Sequence, residues 1–313
     1  MRFSIIIPTF NRPGDLARCL DALAHLDYAA GDFEVIVVDD GGSADLEPLI
    51  DAHRSSLRLM LLRQPNSGPA AARNHGAAHA SGQFLAFVDD DCVPLKGWLR
   101  ALDAAVALAP LALIGGDVQN GLTDNPYSSA SHKISEFLHQ HFNRDPWNGR
   151  FFQSNNIAIG VGPFRQIGGF DAAFQRSASE DRDFCDRWLG LGWRLVTARD
   201  AVVIHYREMW FRGYWRQHFS YGRGAFTYAT ARRARNGGPV PFEGWRFHVG
   251  LILAPLREQV RPKSLYLSIL IVVSQIAVVA GYFTESRARK RKTVPVEQMD
   301  KPQAIRDSAS LPR

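Results

Sequence analysis

Short apolar runs alternate with helical patterns through the first 120 residues of the chain. The runs 3–8, 33–39, 57–62 and 84–89 are continuous and rich in β-branched or aromatic residues, which is typical of strands buried on both faces. Between them, Pro13 to Leu26 carries leucines at spacings of three and four, and Gly68 to Ala80 is alanine-rich, so both segments are predicted helices. This alternation predicts an α/β fold with a mostly parallel sheet covered by helices on both faces.

The pattern changes after this region. Residues 120–150 are polar, and we expect loops and short helices there; further elements are predicted as a strand at 155–161, a helix at 180–192 and a strand at 201–205. Residues 208–235 form a helical pattern in which aromatic residues alternate with arginines. The segment 265–283 contains no charged residue, and the polar tail 293–313 is predicted to be disordered.

Charge divides the chain into two parts. Residues 1–206 carry 18 Lys and Arg against 24 Asp and Glu, whereas residues 207–313 carry 19 against 7, so net charges of −6 and +12 lie within the total of +6. A basic C-terminal third indicates an anionic partner for that third: a membrane surface, an anionic substrate or a nucleic acid.

Cysteine usage and the N-terminus bear on the compartment. Cys19, Cys92 and Cys185 form no CxxC pair, which favours a reducing compartment without a structural zinc site. The apolar run after Met1 is too short for a signal peptide, so none is expected.

Acidic residues follow the strands at their carboxyl ends. Asp39 and Asp40 close the second predicted strand, and Asp89, Asp90 and Asp91 close the fourth. Three adjacent carboxylates repel one another unless a cation compensates, and hard oxygen ligands suit Mg²⁺ or Mn²⁺. The alternative is that these residues form turns and helix caps, above all Asp40, which precedes two glycines.

Two common nucleotide-binding motifs are missing from the sequence. Neither GxGxxG nor GxxxxGK[ST] occurs, which argues against a dinucleotide oxidoreductase and a P-loop NTPase. A diphosphate would therefore be held by a metal ion and arginine.

Six short motifs occur in one order over residues 3–206, about two thirds of the chain. They read IIIPTFNRP (5–13), VVDDGG (37–42), NSGPAAARNHG (66–76), FVDDDCVP (87–94), GGFD (168–171) and SEDRDFCDR (179–187). In content, order and spacing they resemble the family 2 glycosyltransferases, which have the GT-A fold.

The resemblance implies a nucleotide-sugar donor, a Mn²⁺ or Mg²⁺ ion and transfer with inversion at the anomeric carbon. It implies donor contacts from Thr9, Asp39, Asp40, Arg73, Asp89 and Asp90. It implies metal ligands from Asp91 as the more direct one, Asp89 and His205. For His205, the alternative is a buried histidine bonded to the backbone.

The general base is implied to lie in the acidic motif at 179–187. Asp181 matches the family's catalytic acid, with its neighbours Glu180 and Asp183 as alternatives. A carboxylate can accept the proton of a sugar hydroxyl as the new bond forms. These acids also suit the first turn of a helix capped by Ser179, and both interpretations can hold together. Asn155, Asn156 and the GGFD turn are assigned to the acceptor side.

The uncharged segment 265–283 would extend about 29 Å as a helix, close to the thickness of a bilayer core. Basic residues flank it on both sides, so the charges favour neither orientation of a span, and a helix lying in the interface accounts for both flanks. Packing of this helix on the catalytic domain is the alternative.

The sequence thus predicts three parts: a catalytic domain at 1–206, a helical basic extension at 207–292 and a tail at 293–313. The expected function is metal-dependent inverting transfer from a nucleotide sugar to a hydroxyl of a glycan or lipid-linked acceptor, at the cytoplasmic face of a membrane and with no nucleic-acid partner. A nucleotidyltransferase and a non-catalytic basic protein that binds membranes or nucleic acid are the alternatives.

Overall fold

The computed structural model describes residues 1–174, 178–235, 238–240, 243–258 and 260–292. The predicted tail 293–313 lies outside these residues. Within them the strands are β1 (Phe3–Thr9), β2 (Phe33–Asp39), β3 (Leu59–Arg63), β4 (Phe84–Val88), β5 (Cys92–Pro94), β6 (Leu113–Asn120), β7 (Asn156–Gly160) and β8 (Leu195–His205). The α-helices are α1 (Pro13–Ala24), α2 (Glu47–His53), α3 (Pro69–Ala78), α4 (Trp98–Leu108), α5 (Pro126–Phe142), α6 (Val161–Gln166), α7 (Glu180–Gly190), α8 (Phe211–Ala234), α9 (Trp245–Glu258) and α10 (Pro262–Lys292).

The described strands form one sheet in the order β3-β2-β1-β4-β7-β6-β8-β5. β3, β2, β1 and β4 are parallel to one another, β7 is antiparallel to both of its neighbours, and β6 and β8 are again parallel. The predicted α/β class with a mostly parallel sheet is confirmed. Its consequence is that β1, β2 and β4 all end at the same edge of the sheet.

The central strand β1 has apolar side chains on both faces. Ile5 and Ile7 are buried in a core shared with Leu16 and Leu20 of α1, whereas Ile6 faces the opposite core. Successive side chains of a strand point to opposite faces, so a continuous apolar run requires covering helices on both sides.

The helix α5 lies where loops and short helices were expected. The Asn125 side chain accepts hydrogen bonds at 3.0 Å from the backbone N–H groups of Tyr127 and Ser128, and so caps the helix. Its buried first turns present Ser128, Ser129 and Ala130. Because these side chains are small and two of them are polar, no leucine periodicity marks the helix in the sequence.

The C-terminal extension consists of α8, α9 and α10. Leu267 and Leu270 of α10 are buried with Tyr214 of α8 and Ala130 of α5. Within the described part of the chain, α10 is the one helix long and apolar enough to cross a membrane, with a mean hydropathy of 2.1 over its best window. It continues nine residues past the predicted apolar segment, to Lys292.

Candidate active site

The pairing of β5 with β8 joins two candidate metal ligands that are far apart in sequence. In this antiparallel pair Cys92 lies opposite His205, so Asp91, immediately before β5, is brought next to the histidine. The His205 Nε2 atom lies 3.2 Å from Asp91 Oδ1. The partner of this ring nitrogen is a carboxylate, not the backbone group considered as the alternative.

Asp91 is almost fully buried, with 2% of its side chain exposed, and is surrounded by cations. Its Oδ2 atom lies 2.6 Å from Arg12 Nη1 and 3.4 Å from Arg207 Nη1. Burial alone would raise the pKa of this carboxyl, but His205, Arg12 and Arg207 outweigh burial and hold the pKa well below its usual range. Asp91 is therefore ionised and available as a hard oxygen ligand.

A divalent cation fits this group of residues. The ligand atoms of Asp91, Cys92 and His205 lie within 4.8 Å of one another. A carboxylate oxygen and an imidazole nitrogen are ligands suited to Mn²⁺ and other divalent ions. Arg12 and Arg207 were not assigned by the sequence analysis, although Arg12 lies in a quoted motif and Arg207 follows His205 by two residues.

Asp90 and Thr9, which are buried next to Asp91, are joined by a hydrogen bond. The Thr9 hydroxyl donates to Asp90 Oδ2 at 2.7 Å, and Arg12 Nη2 lies 2.8 Å from Asp90 Oδ1. Burial, and then the neighbouring charge of Asp91, raise the pKa of Asp90 to about 7 although Arg12 opposes them. Direct contact of these two side chains with a donor stays a prediction.

The two acids that end β2 hold the adjoining loops. Asp40 accepts three hydrogen bonds of 2.8 Å, from the Gln64 side chain and from the backbone N–H groups of Ser67 and Gly68. Asp39 accepts one of 2.8 Å from the Gly42 N–H. Asp40 thus fixes the loop that leads into α3, which gives it a structural role whether or not it also contacts a nucleoside.

Gly41 is required by this turn. Its φ is +80°, and a Cβ atom there would lie 2.6 Å from the backbone nitrogen of Asn66. Any other residue would combine a strained backbone with a collision.

Arg73 joins the donor side of the site to the start of α7. Its side chain is 2% exposed, with Nη2 2.6 Å from Asp89 Oδ1 and Nη1 3.1 Å from Glu180 Oε1. Sequence reasoning placed Arg73 against a base or phosphate. That contact stays a prediction, and the structure shows that two carboxylates neutralise the guanidinium.

The three candidate acids of α7 differ in their partners. Glu180 pairs with Arg73, and Asp183 is fully buried between Arg187 Nε at 2.8 Å and Arg235 Nη2 at 2.7 Å. Among the described residues, the carboxylate of Asp181 has no ion-pair partner and accepts one hydrogen bond of 2.7 Å, from the N–H of Arg182. Burial, and then the charge of Glu180, raise the pKa of Asp181 to about 7.

Ser179, which precedes these acids, has a left-handed backbone with φ of 71°. A serine in this conformation is strained, and such strain is concentrated at functional sites.

The acceptor-side assignment is wrong for Asn156. Its amide is buried and fully used: Oδ1 accepts from Trp98 Nε1 at 2.8 Å, and Nδ2 donates to the backbone oxygens of Asp117 and Ala201 at 2.7 and 2.8 Å. The side chain ties the sheet to α4. The neighbouring Asn155 is also buried.

The GGFD segment is a turn held by internal bonds. Gly168 and Gly169 have positive φ angles of 80° and 69°, and the Asn74 side chain bonds both backbone groups of Phe170 at 2.7 and 2.9 Å. These contacts give it a structural role.

Helix α8 adds a residue that sequence reasoning missed. Although 37% of Tyr221 is exposed, desolvation is the first cause of a raised pKa of its hydroxyl, and the charges of Arg207, Asp181 and Glu180 also act on it. The Gln217 side chain donates to this hydroxyl at 2.6 Å. The aromatic helix thus places a tyrosine within electrostatic reach of the candidate base.

Comparison with known proteins identifies related sequences. The sequence model of "Glycosyl transferase family 2" matches residues 4–181. The chain is 27% identical over 213 residues to "Glycosyltransferase AglE" of Haloferax volcanii, covering 64% of this chain and 66% of that protein. It is 32% identical over 216 residues to the "Pre-mycofactocin glycosyltransferase" of Mycobacterium tuberculosis, covering 64% and 42%. The matches thus span between about two fifths and two thirds of these relatives' length.

Two solved structures have the same fold. The mannosyltransferase PcManGT of Pyrobaculum calidifontis, in complex with GDP-Man and Mn²⁺, aligns with a TM-score of 0.58 at 20% identity over 94% of this chain and 81% of that one. TarS of S. aureus, in complex with UDP-GlcNAc, aligns with a TM-score of 0.56 at 16% identity over 93% and 92%. At these identities the likeness establishes the fold alone.

Proposed function

Because the chain belongs to glycosyl transferase family 2, and is therefore a glycosyltransferase, we propose that it moves a sugar from a nucleoside diphosphate to an acceptor hydroxyl with inversion. One bond forms, between the acceptor oxygen and the anomeric carbon. One bond breaks, between that carbon and the diphosphate oxygen. The acceptor proton passes to a side chain of the enzyme.

The observation that carries this proposal is the carboxylate of Asp181, which has no ion-pair partner among the residues that the structure describes. Glu180 and Asp183 are neutralised by arginines, so neither is free to accept a proton in this arrangement. A base is most effective when its pKa lies near the working pH, and that of Asp181 is about 7. We assign Asp181 as the general base, with Glu180 and Asp183 as residues that hold the start of α7.

The metal site is assigned to Asp91 and His205, and Asp89, whose carboxylate pairs with Arg73, is proposed as a further ligand. When bound, Mn²⁺ or Mg²⁺ would stabilise the negative charge that develops on the departing diphosphate. Arg12 and Arg207 add positive charge beside Asp91, and this charge would also stabilise the departing diphosphate. The Mn²⁺ named in the PcManGT complex, a protein of the same fold, supports a divalent ion of this kind.

The remaining residues on the donor side fall into two groups, direct contacts and supporting residues, according to the contacts that their side chains make within the protein. Asp39, which accepts a single hydrogen bond, and Asp89, whose side chain is 26% exposed beside Arg73, are proposed as direct donor contacts. Asp40, Asp90 and Thr9 are proposed to support the loops around the donor, since their polar atoms are engaged within the protein. Arg73 is proposed to hold Asp89 and Glu180 at a fixed separation.

The acceptor is proposed to be a glycan or a lipid-linked sugar at the cytoplasmic face of a membrane. Residues 1–206, with Arg207 beside Asp91, would then carry the chemistry. The rest of the basic extension 207–292, with the apolar segment 265–283, would associate with that membrane. TarS, named as a poly(ribitol-phosphate) β-N-acetylglucosaminyltransferase, is a relative whose name gives a polymeric acceptor, which supports this class of acceptor.

The test is a panel of UDP-, GDP- and dTDP-sugars with Mn²⁺, in which the released nucleotide is identified. Release of a nucleoside diphosphate supports sugar transfer, whereas release of pyrophosphate indicates a nucleotidyltransferase. Asp91→Asn is expected to abolish Mn²⁺-dependent binding of the nucleoside diphosphate, whereas Asp124→Asn, at an exposed acid of the β6–α5 loop, retains it. Unchanged binding by Asp91→Asn would refute the metal assignment.

A further inference from the structure

The outward surface of α10 is apolar over most of its length. Between residues 265 and 283 its exposed side chains are between 39% and 57% accessible and follow one another at spacings of four and three, with Tyr266 beside them. This outer stripe consists of Leu265, Tyr266, Ile269, Val272, Ile276, Val279 and Phe283. At 1.5 Å per residue it extends about 27 Å, and continuous apolar surfaces of that kind mark interaction sites.

The opposite face of α10 is fastened to the rest of the protein at several points. Lys263 Nζ donates to the Thr123 carbonyl at 2.9 Å, and the Tyr214 hydroxyl donates to the Leu270 carbonyl at 2.9 Å. Near the C-terminal end, Arg223 Nη2 lies 2.6 Å from Glu285 Oε2. The helix therefore cannot leave the domain without breaking these contacts.

Glycines bring α10 and α8 into backbone contact. A Cβ atom at Gly222 would lie 1.9 Å from the carbonyl oxygen of Val278, and one at Gly281 would lie 2.0 Å from that of Phe219. The two helices consequently lie side by side with no side chain between them at this crossing.

This attachment argues against a membrane-spanning α10. The helix α8 beside it carries five arginines, and a charged side chain in the hydrocarbon core is costly. They are Arg212, Arg216, Arg223, Arg232 and Arg233. A helix with one face packed on a soluble domain and an apolar opposite face is suited to lie in the plane of a membrane surface.

The charges at the two ends of the stripe determine its partner. Arg261 lies exposed at the first end and Arg287 lies exposed at the second. Lys263 and Arg289 add positive charge beside them, although each also bonds to the domain. A second copy of the chain on this stripe would bring basic ends together in either a parallel or an antiparallel arrangement. Anionic phospholipid complements both ends, since each basic residue near such a surface is attracted to it.

We propose that the outer stripe of α10 docks flat into the surface of an anionic phospholipid bilayer, and that the catalytic domain stays on one side of that bilayer. The inference rests on the proposed function in one respect only: the purpose of docking would be to bring the active site to a membrane-held acceptor.

The first experiment is flotation of the full chain with phosphatidylcholine vesicles that contain or lack phosphatidylglycerol. Ile269→Glu/Ile276→Glu places two charges in the stripe. Leu108→Glu/Leu111→Glu makes the same change at apolar residues that are 73% and 66% exposed elsewhere. We expect binding to the anionic vesicles to fall at least about tenfold for the stripe variant and to be unchanged for the control. Binding of the parent chain should weaken in 1 M NaCl, where screening is strong.

Three results would overturn the proposal. They are absence of the parent chain from anionic vesicles, equal flotation of the stripe variant, and a dimer in solution that the stripe variant abolishes. Donor hydrolysis without an acceptor is measured on the same samples and should not change. A chain that binds vesicles but hydrolyses no donor would contradict the proposed function and leave the docking surface intact.

The second experiment distinguishes lying flat from spanning. Lys263→Cys and Arg287→Cys are made separately at exposed positions near the two ends of α10, and the three native cysteines are buried. On sealed vesicles a membrane-impermeant maleimide should label both positions equally from outside. Protection of one position, reversed by detergent, would show a span and refute the in-plane arrangement.

Discussion

The assignment of Asp181 as the base makes the pH dependence of the enzyme a direct test. Replacing Asp181 by Asn keeps the shape of the side chain and removes its ability to accept a proton. The Arg182 N–H that donates to Asp181 at 2.7 Å can donate to the amide oxygen instead, so the start of α7 should keep its geometry. We expect donor affinity to persist and turnover to fall by about 10² to 10⁴, the usual contribution of general base catalysis.

The size of the pH effect follows from the pKa of Asp181. With a pKa of about 7, the carboxylate is about 9% ionised at pH 6 and about 91% ionised at pH 8. Because the base acts in its ionised form, kcat/KM should rise about tenfold between these two pH values. Burial is the largest cause of the raised pKa and the charge of Glu180 is the next. Glu180→Gln removes that charge, so the rise should move to lower pH.

The assay is initial-rate release of nucleoside diphosphate from pH 5.5 to 8.5 at constant ionic strength, with donor affinity measured by calorimetry. Asp183→Asn is the matched control: it breaks the bridges to Arg187 and Arg235 and should lower the melting temperature without moving the midpoint of the profile. An unchanged pH profile in Asp181→Asn, or loss of donor binding with turnover intact at saturation, would refute the assignment.

Three further predictions concern the buried contacts around the site. Arg73→Met leaves Asp89 and Glu180 without their shared cation and should destabilise the fold by about 3–5 kcal/mol, measured by urea unfolding; an unchanged midpoint would contradict this. Gly222→Ala should lower stability by about 1–3 kcal/mol because its Cβ meets the backbone of α10, whereas Gly213→Ala in open space on the same helix should leave stability unchanged or raise it; equal effects would refute the crossing. Removal of residues 262–313 should expose the apolar face of α8 and lower the melting temperature of the remaining chain, and a truncated chain as stable as the full one would show that α10 packs loosely.

The elements of this fold that the sequence predicts are those whose type is indicated by residues adjacent to one another in the chain. Ile5, Ile6 and Ile7 indicate a strand buried on both faces from their own composition, and the structure places them in two cores. Helix α5 was missed because Ser128 and Ser129 fill buried positions that a leucine pattern would have marked.

The candidate site shows a different limit, because its chemistry depends on partners that are distant in sequence. Sequence position alone does not distinguish Glu180, Asp181 and Asp183 as candidates for the general base. Arg187, the i,i+4 partner of Asp183, is local in sequence. The other arginines that distinguish these acids are distant: Arg73 lies 107 residues before Glu180, and Arg235 lies far beyond Asp183. A pairing of this kind is set by topology and leaves no local pattern, which is also why Arg12 and Arg207 received no role.

The glycine crossing of α8 and α10 has a mechanical consequence. Side chains between two helices normally act as a compliant layer in which small displacements are absorbed by rotamer changes. At Gly222 and Gly281 no side chain lies between the two helices, so we expect α8 and α10 to move together at this crossing. Tyr221, which lies within electrostatic reach of Asp181, is the residue immediately before this crossing. We therefore expect a displacement of α10 relative to the domain to move the segment of α8 that carries Tyr221 as well.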